Sequence, residues 1–281
     1  MKLTACLPLV SALGLVALPL GAAPTNETAG HLGSRVFAWE ELAVKKSDVG
    51  ERRDVADEPT QTLERFECHI STLNPGLKSH PPHRHPQEEF IIIREGSLDV
   101  TINGETQRVG PGSLFFFAAN DWHNVSNPGD VPATYLVFNL ASAATRSAPA
   151  EGAGKQVPPG TLGSNVYAWE RLMARRTATG EIRDIGQGAT VACRRLEMFV
   201  ETLAEGSSAH PRQRHAEEEV LAVKSGTLAV TINGETRTIG PGSICFFASN
   251  DDHAITNAGK GEAAYYIARF ETAATPVAQA N

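Results

Sequence analysis

The chain has 281 residues, of which 41% are hydrophobic and 20% are charged, and its formal net charge is −7 at pH 7. This composition excludes a largely disordered chain. The acidic balance, without any run of Lys and Arg, argues against nucleic acid as the main partner. The length suits two domains of about 120 residues each.

The N-terminus has the pattern of an export signal. Lys2 precedes an apolar run over residues 7–20, and small residues follow at 21–23. Together they predict a signal peptide over residues 1–23. The apolar run is too short for an ordinary membrane-spanning helix. We therefore expect an exported protein, periplasmic or secreted, with no membrane association after the signal is removed.

Three cysteines remain after removal of this signal: Cys68, Cys193 and Cys245. Their spacing matches no zinc or redox motif. Two interpretations stay open, namely three buried thiols, or one disulfide and one free thiol in an oxidising compartment.

The clearest feature of the sequence is an internal repeat, in which residue 163 matches residue 33. Residues 101–106 recur at 231–236 and residues 110–113 recur at 240–243, all at the same offset and without a gap. This repeat predicts a duplicated domain. We place the first copy at 24–145, the second at 161–275 and a short tail at 276–281. The segment 146–160 is rich in Ala, Pro and Gly and is the expected linker.

Each copy has the pattern of short β-strands. Leu98, Val100 and Ile102 alternate with polar residues, and Asn103-Gly104 follows as the dipeptide preferred in a tight hairpin turn. Residues 90–93 and 114–117 are continuous apolar runs, as expected of strands covered on both faces. Gly and Pro recur every 8–12 residues, which suits a sandwich or a barrel. Short helices are expected only at 39–42 and 169–172.

A candidate metal site lies in the first copy. His83 and His85 are two residues apart, so on a strand both would project from one face, about 7 Å apart. Glu89 would add a carboxylate from the next strand and His123 a third imidazole. Three imidazoles and one carboxylate leave room on an octahedral ion for water, dioxygen or a substrate acid. Glu88 is the rival of Glu89, but strand alternation places it on the opposite face.

These residues resemble the two sequence motifs of the cupin superfamily. The first motif comprises Gly76, His83, His85, Glu89 and Gly96, and the second comprises Gly110, Pro111, Gly112, His123 and Asn127. The resemblance implies a bicupin, an all-β protein of two tandem jelly-roll (double-stranded β-helix) barrels, each with a metal pocket in its mouth. It implies one divalent transition metal per intact site. The ligands suit Mn or Fe, whereas metal acquisition outside the cytoplasm permits Cu or Zn.

The second copy departs from this pattern at one position. His215, Glu219 and His253 match the ligands of the first copy, but Gln213 stands in place of His83. Three interpretations stay open: a weaker site for the same metal, a true site of different chemistry, or a decayed structural copy. Ureidoglycine aminohydrolase, a bicupin that uses Gln among its ligands, is the precedent for the second.

Several further residues recur in both copies beside these motifs. His80 and His210 precede the ligands and either line the pocket or lie exposed at a turn. Trp122 adjoins His123 as a possible pocket wall. The two Arg-Asp pairs either face an anionic substrate or form structural ion pairs. The Phe residues are expected in the core. The paired positions are Arg53-Asp54 with Arg183-Asp184, and Phe115, Phe116 and Phe117 with Phe246 and Phe247.

The sequence favours an exported metal-dependent enzyme of the dioxygenase or decarboxylase type, with the chemistry mainly in the first barrel. Its expected partner is a small organic acid or an oxygenated aromatic, and its layout resembles those of quercetin dioxygenase and oxalate decarboxylase. One alternative is a non-catalytic bicupin that binds a sugar or an acid through a metal anchor. A further alternative is a ureidoglycine aminohydrolase-like or isomerase activity. No lid with a catalytic Glu is recognisable, so no catalytic residue is assigned. A homo-oligomer is compatible with the resemblance.

Overall fold

The structure is a computed structural model that describes residues 30–148 and 159–277. These residues form twenty β-strands and three short 3-10 helices, which confirms the predicted all-β class. None of the described helices is long and apolar enough to span a membrane. The predicted signal peptide, and most of the predicted linker and tail, lie outside the described residues.

The two copies have the same order of elements. The strands of the first copy are β1 (Arg35–Phe37), β2 (Lys45–Ser47), β3 (Gly50–Glu58), β4 (Arg65–Leu73), β5 (Glu88–Glu95), β6 (Leu98–Ile102), β7 (Glu105–Val109), β8 (Leu114–Phe117), β9 (His123–Ser126) and β10 (Ala133–Ala141). Those of the second copy are β11 (Asn165–Tyr167), β12 (Ala174–Arg176), β13 (Gly180–Gly188), β14 (Arg195–Leu203), β15 (Glu218–Ser225), β16 (Leu228–Ile232), β17 (Glu235–Ile239), β18 (Ile244–Phe247), β19 (His253–Asn257) and β20 (Ala263–Glu271). The 3-10 helices are Trp39–Glu41, Thr145–Ser147 and Trp169–Arg171.

Each barrel pairs a seven-stranded sheet with a three-stranded one. The large sheet of the first barrel has the order β11-β8-β5-β10-β4-β3-β2, and the small sheet has the order β7-β6-β9. The second barrel has the orders β1-β18-β15-β20-β14-β13-β12 and β17-β16-β19. The edge strands β1 and β11 are therefore exchanged, since each copy completes the large sheet of the other.

Serine side chains fix this exchange of edge strands. The hydroxyl of Ser34, before β1, donates to Asp251 Oδ2 at 2.6 Å and accepts from the amide of Ala248 at 2.7 Å. Ser164 makes the equivalent bonds to Asp121 and Ala118 in the first barrel. Each segment is thereby held at one register against its partner strand.

The hydrophobic core has three parts, one inside each barrel and one between them. Phe115 and Phe117 point into the first barrel, whereas Phe116 belongs to the layer between the barrels. Successive strand residues face opposite sides, and both sides of β8 are covered, which explains its continuous apolar run. Phe66 and Phe246 meet across the interface with ring centroids 5.3 Å apart.

Two buried carboxylates lie in the interface between the barrels. Glu88 accepts hydrogen bonds from the Thr190 hydroxyl and the amides of Val191 and Ala192. Glu218 is held in the equivalent way by the loop that begins at Thr60. Both side chains point away from the barrel interiors, as alternation predicts, because their neighbours Glu89 and Glu219 point inwards.

Turns and arginines also follow the repeat. Asn103 and Gly104 have φ values of 49° and 87°, so the predicted type I′ hairpin is confirmed. Arg53 donates to the Leu42 carbonyl and stacks on Trp39 at 4.2 Å. Asp54 pairs with Lys45 and Arg52 instead, so Arg53 and Asp54 do not form an ion pair with each other.

In the second copy, Arg183 donates to the Leu172 carbonyl and stacks on Trp169 at 4.8 Å. Asp184 lies 3.8 Å from Arg175. Both arginines thus have structural roles beside a tryptophan, and neither lines the cavity described below.

Candidate metal centre

A short backbone bridge places two of the candidate ligands side by side. The amide of His83 donates to the His123 carbonyl at 3.1 Å, and the amide of His123 donates back at 2.9 Å. The expectation that His83 and His85 share a regular strand is wrong, because β5 begins only at Glu88. Pro81, Pro82 and Pro86 flank the two histidines, and proline lacks an amide donor for a ladder bond. His85 is instead held through its carbonyl, which accepts from the Asn120 amide at 2.8 Å.

The three imidazoles converge on one point in the mouth of the first barrel. The ring centroid of His83 lies 5.2 Å from that of His85 and 4.6 Å from that of His123, and the centroids of His85 and His123 are 4.9 Å apart. One ligand nitrogen from each ring lies within 4.8 Å of the others. His123 is also stacked on Phe117, with centroids 4.2 Å apart, which fixes its orientation.

Hydrogen bonds to backbone carbonyls select which nitrogens face the centre. His85 Nδ1 lies 2.9 Å from the Gln87 carbonyl and His123 Nδ1 lies 2.8 Å from the Asp121 carbonyl. A carbonyl only accepts, so each Nδ1 carries the hydrogen and Nε2 has the free lone pair. The His123 Nε2 atom is buried without a hydrogen-bond partner. An orphaned acceptor of this kind is the position that a metal ion would satisfy.

The charges of the cluster also suit a cation. Burial lowers the pKa of His123 to about 4, and burial together with the neighbouring His80 and His85 lowers the pKa of His83. Burial opposes the charge of His85, but the hydrogen bond and charge of Glu89 outweigh it and raise the pKa of His85. Glu89 Oε2 lies 3.6 Å from His85 Nε2. Two imidazoles that burial favours in the neutral form, and a third beside a carboxylate, form a donor set that fits a divalent transition metal.

The cluster opens into a cavity of about 440 Å³ inside the first barrel. The cavity is lined by the three histidines, by Glu89 and by residues of β3, β4 and β10. Its volume lies in the range of ordinary small-molecule pockets. A small ligand could therefore contact a metal ion and the side chains of these strands together.

The second barrel has the same bridge but a different interior. Gln213 and His253 exchange backbone bonds of 3.0 Å, and His215, Glu219 and His253 lie close enough to share an ion. However, Arg269 donates to Glu219 Oε2 from Nη2 at 2.7 Å and from Nε at 2.9 Å. The carboxylate thus already has a cation as its partner. The Nε2 atoms of His215 and His253 are both buried without a hydrogen-bond partner, as the Nε2 atom of His123 is in the first barrel. The second donor set therefore differs from the first by one imidazole fewer and by a carboxylate that pairs with Arg269.

The sequence comparison gives the family of this fold. The Cupin domain family matches residues 69–139 and 199–268, which together are about half of the chain. This chain belongs to the cupin superfamily. The two matches fall on the two barrels, so the protein is a bicupin.

Solved structures support the bicupin fold at low sequence identity. A Bacillus subtilis oxalate decarboxylase with Mn(II) centres matches with a TM-score of 0.63 and 15% identity, covering 87% of this chain and 79% of that one. A Lactobacillus farciminis oxalate decarboxylase matches with a TM-score of 0.62 and 14% identity, covering 87% and 88%. The protein Ylba from E. coli matches with a TM-score of 0.65 and 10% identity, covering 88% and 95%. These similarities establish the fold alone.

One curated relative is similar in sequence over a shorter stretch. It is the tetracenomycin polyketide synthase protein TcmJ of Streptomyces glaucescens, 37% identical over 82 residues. That alignment covers 29% of the bicupin and 53% of TcmJ, so the chain spans about half the length of the relative it matches.

The remaining predicted pocket residues of the bicupin lie at the barrel mouths. His80 lines the cavity, with its ring 4.0 Å from that of His83. His210 Nε2 lies 2.9 Å from Gln213 Nε2 in the second barrel. Trp122 is 48% exposed and stacks with Arg84 outside the cavity lining. His80 thus lies against the candidate ligand His83, whereas Trp122 forms part of the outer surface.

Sequence reasoning missed the polar wall of the cavity that centres on β4. There Glu67, a buried residue of β4, accepts hydrogen bonds from Arg52, His69 and Asn139. The sequence does contain a signal for these residues, because the two copies differ at two of their positions. At the 130-residue offset, His69 is matched by Phe199 and Asn139 by Arg269.

Proposed function

We propose that this bicupin is a metal-dependent enzyme whose reaction takes place in the first barrel. The observation that carries the proposal is the convergence of His83, His85 and His123, with a buried unsatisfied Nε2 on His123, at a cavity of about 440 Å³. His83, His85 and His123, with Glu89 beside them, would hold the ion. When bound, the ion would polarise substrate oxygen atoms as a Lewis acid. The second barrel then serves mainly as a structural partner.

The substrate class we propose is a small organic acid or an oxygenated aromatic, converted by decarboxylation or by reaction with dioxygen. The cavity size supports a small molecule. The fold shared with oxalate decarboxylases and the partial similarity to a polyketide synthase protein support the two halves of this class. The residues of this chain would exclude bulk water through the apolar barrel interior and orient the substrate between the histidines and the polar wall of β4. We also propose that residues 1–23 direct export.

Elemental analysis and turnover assays test the proposal. The purified chain should contain one divalent transition metal, the ion should be lost in His83→Ala, and it should be retained in the matched variant Gln213→Ala. The metal-loaded protein is then assayed for dioxygen uptake and carbon dioxide release with oxalate, flavonols, catechols and ureido acids. Turnover that disappears in His83→Ala supports the enzyme. A metal-loaded protein that is inert toward the whole panel supports a non-catalytic binder instead.

A further inference from the structure

The face of β4 that points into the first barrel carries a pair of residues suited to accepting a proton. Glu67, His69 and Ser71 alternate with Phe66, Cys68 and Ile70, which pack in the layer between the barrels. We propose that His69, held by Glu67, is the general base of the enzyme proposed above, and that its substrate is a neutral phenol or enol. The inference rests on the proposed function, because it needs a metal-bearing first barrel.

The hydrogen bonding of Glu67 defines the state of His69. His69 Nδ1 lies 2.7 Å from Glu67 Oε1. Burial opposes the charge of Glu67, but the hydrogen bonds from His69 and Asn139 and the charge of Arg52 favour the ionised form, and the pKa of Glu67 lies below its usual value. An ionised carboxylate only accepts, so Nδ1 carries the hydrogen. In the neutral ring Nε2 is then the lone-pair nitrogen, and it makes no hydrogen bond to any residue that the structure describes.

The strand register places this pair two strands away from the candidate ligand Glu89 in the same sheet. Asn139 of β10 lies opposite Glu67 of β4 on one side and opposite Glu89 of β5 on the other. Neighbouring strands are about 4.8 Å apart, so Glu67 and Glu89 are separated by about 10 Å of sheet. His69 and the three histidines line the same cavity. A single aromatic ring or a molecule of similar size spans such a gap.

The charges around the cavity favour a neutral substrate over a dianion. The two arginines in the lining are both paired, Arg52 with Glu67 and Asp54, and Arg65 with Asp57. The lining also includes Glu51 and Glu89. A dianion such as oxalate would therefore approach several carboxylates while the nearby guanidinium groups are already engaged. A phenol or an enol brings no charge and has a hydroxyl proton to give up.

The proposed step is a single proton transfer. The O–H bond of the substrate breaks, its electron pair stays on the oxygen, and the proton moves to His69 Nε2. The resulting imidazolium is stabilised by ionised Glu67, which keeps its own charge throughout. The second barrel has no equivalent, because Phe199 stands at the position of His69. The step is therefore confined to the barrel that carries the three histidines.

Proton counting tests the pair without knowledge of the natural substrate. The full-length chain is loaded with zinc, which has no redox chemistry, and titrated calorimetrically with catechol near pH 7 in buffers of different ionisation enthalpy. Catechol is neutral there, because unsubstituted phenols lose their proton at a pH of about 10. A base that keeps the phenolic proton lowers the number released to buffer. We expect the wild type to release about one proton fewer per bound catechol than His69→Phe or His69→Asn. Glu67→Gln should move the count in the same direction. His31→Phe, which removes an exposed histidine, should match the wild type.

Each outcome decides between the two proposals. Equal proton counts in the wild type and both His69 variants, with zinc content unchanged, would overturn the role of His69 and leave the metal centre intact. Zinc binding without any catechol binding would overturn the neutral phenol class. Zinc content in the wild type no higher than in His83→Ala would overturn the proposed function itself, and the base with it. His69→Phe introduces the residue type that the second barrel has at the equivalent position, Phe199 of β14. Thermal unfolding of both His69 variants checks their folding.

Discussion

The residues at positions 139, 213 and 269 should decide which of the two barrels binds a metal ion. Position 269 holds Arg269, which contacts the buried Glu219, whereas position 139 holds Asn139, which leaves Glu89 free of an arginine. We expect the wild type to bind one divalent ion per chain. Arg269→Asn combined with Gln213→His should create a second site, and Asn139→Arg should abolish the first.

The size of the effect follows from the ion pair. The side chain of Glu219 is 1% exposed and lies 2.7 Å from Arg269 Nη2. Separating a buried pair of this kind costs about 3–5 kcal/mol. An ion that must displace Arg269 therefore binds at least about 100-fold more weakly, since each 1.4 kcal/mol is about tenfold in affinity. The loss of an imidazole at Gln213 adds to this difference.

Metal titration by calorimetry, with elemental analysis after dialysis, measures the stoichiometry. Arg269→Asn alone should also lower the thermal unfolding temperature without metal, because it removes the arginine that compensates the buried charge of Glu219, and added metal should restore stability. Two ions bound with equal affinity by the wild type would refute the reasoning. So would an Asn139→Arg variant, folded by circular dichroism, that keeps its ion.

Two further predictions concern the interface and the thiols. Glu218→Ala should lower the free energy of unfolding by about 3 kcal/mol, measured by urea denaturation, because the Thr60 and Thr62 hydroxyls and an amide lose their buried acceptor. Burial raises the pKa of Glu218 from 4.5 to about 7 despite these donors, so its contribution is complete below pH 4.5 and is lost as the pH rises through about 7. Glu218→Gln should therefore show a flatter stability profile over that window, and an unchanged slope would contradict the assignment. The three described cysteines are free and buried, and burial raises the pKa of each thiol. We therefore expect them to react with a thiol reagent only in denaturant. Fewer reactive thiols in denaturant alone than in denaturant with added reductant would reveal a disulfide.

Local patterns predicted the elements whose form depends on nearby residues. The hairpin at Asn103-Gly104 requires positive φ at both residues, which this dipeptide tolerates. The apolar run of β8 shows that the strand is covered on both faces. The repeat itself predicted two equivalent barrels. These features needed no knowledge of which distant strands would pair.

Features that depend on distant pairing were not accessible in the same way. The exchange of β1 and β11 depends on contacts between residues that are far apart in the sequence. Ser34 and Asp251, for example, are 217 residues apart. The placement of His83 beside His123 depends on a bridge to β9, not on a strand of its own. The polar wall needs the β4-β10-β5 register to bring Glu67 and Asn139 together. A single sequence predicts the faces of such strands but not their neighbours.

The two copies are similar at their interface and different in their interiors. Glu88 and Glu218 occupy equivalent places between the barrels, as do Ser34 and Ser164 before the exchanged strands. Each of these residues has a hydrogen-bond partner in the other copy. A change on one side would therefore leave a polar group at the interface unpaired.

The interior differences, by contrast, fall at positions that face the cavity. Gln213, Phe199 and Arg269 stand where the first barrel has His83, His69 and Asn139. Arg269 compensates the charge of the buried Glu219. A second barrel without a metal ion would therefore keep its carboxylate paired, and it still supplies β11 to the large sheet of the first barrel.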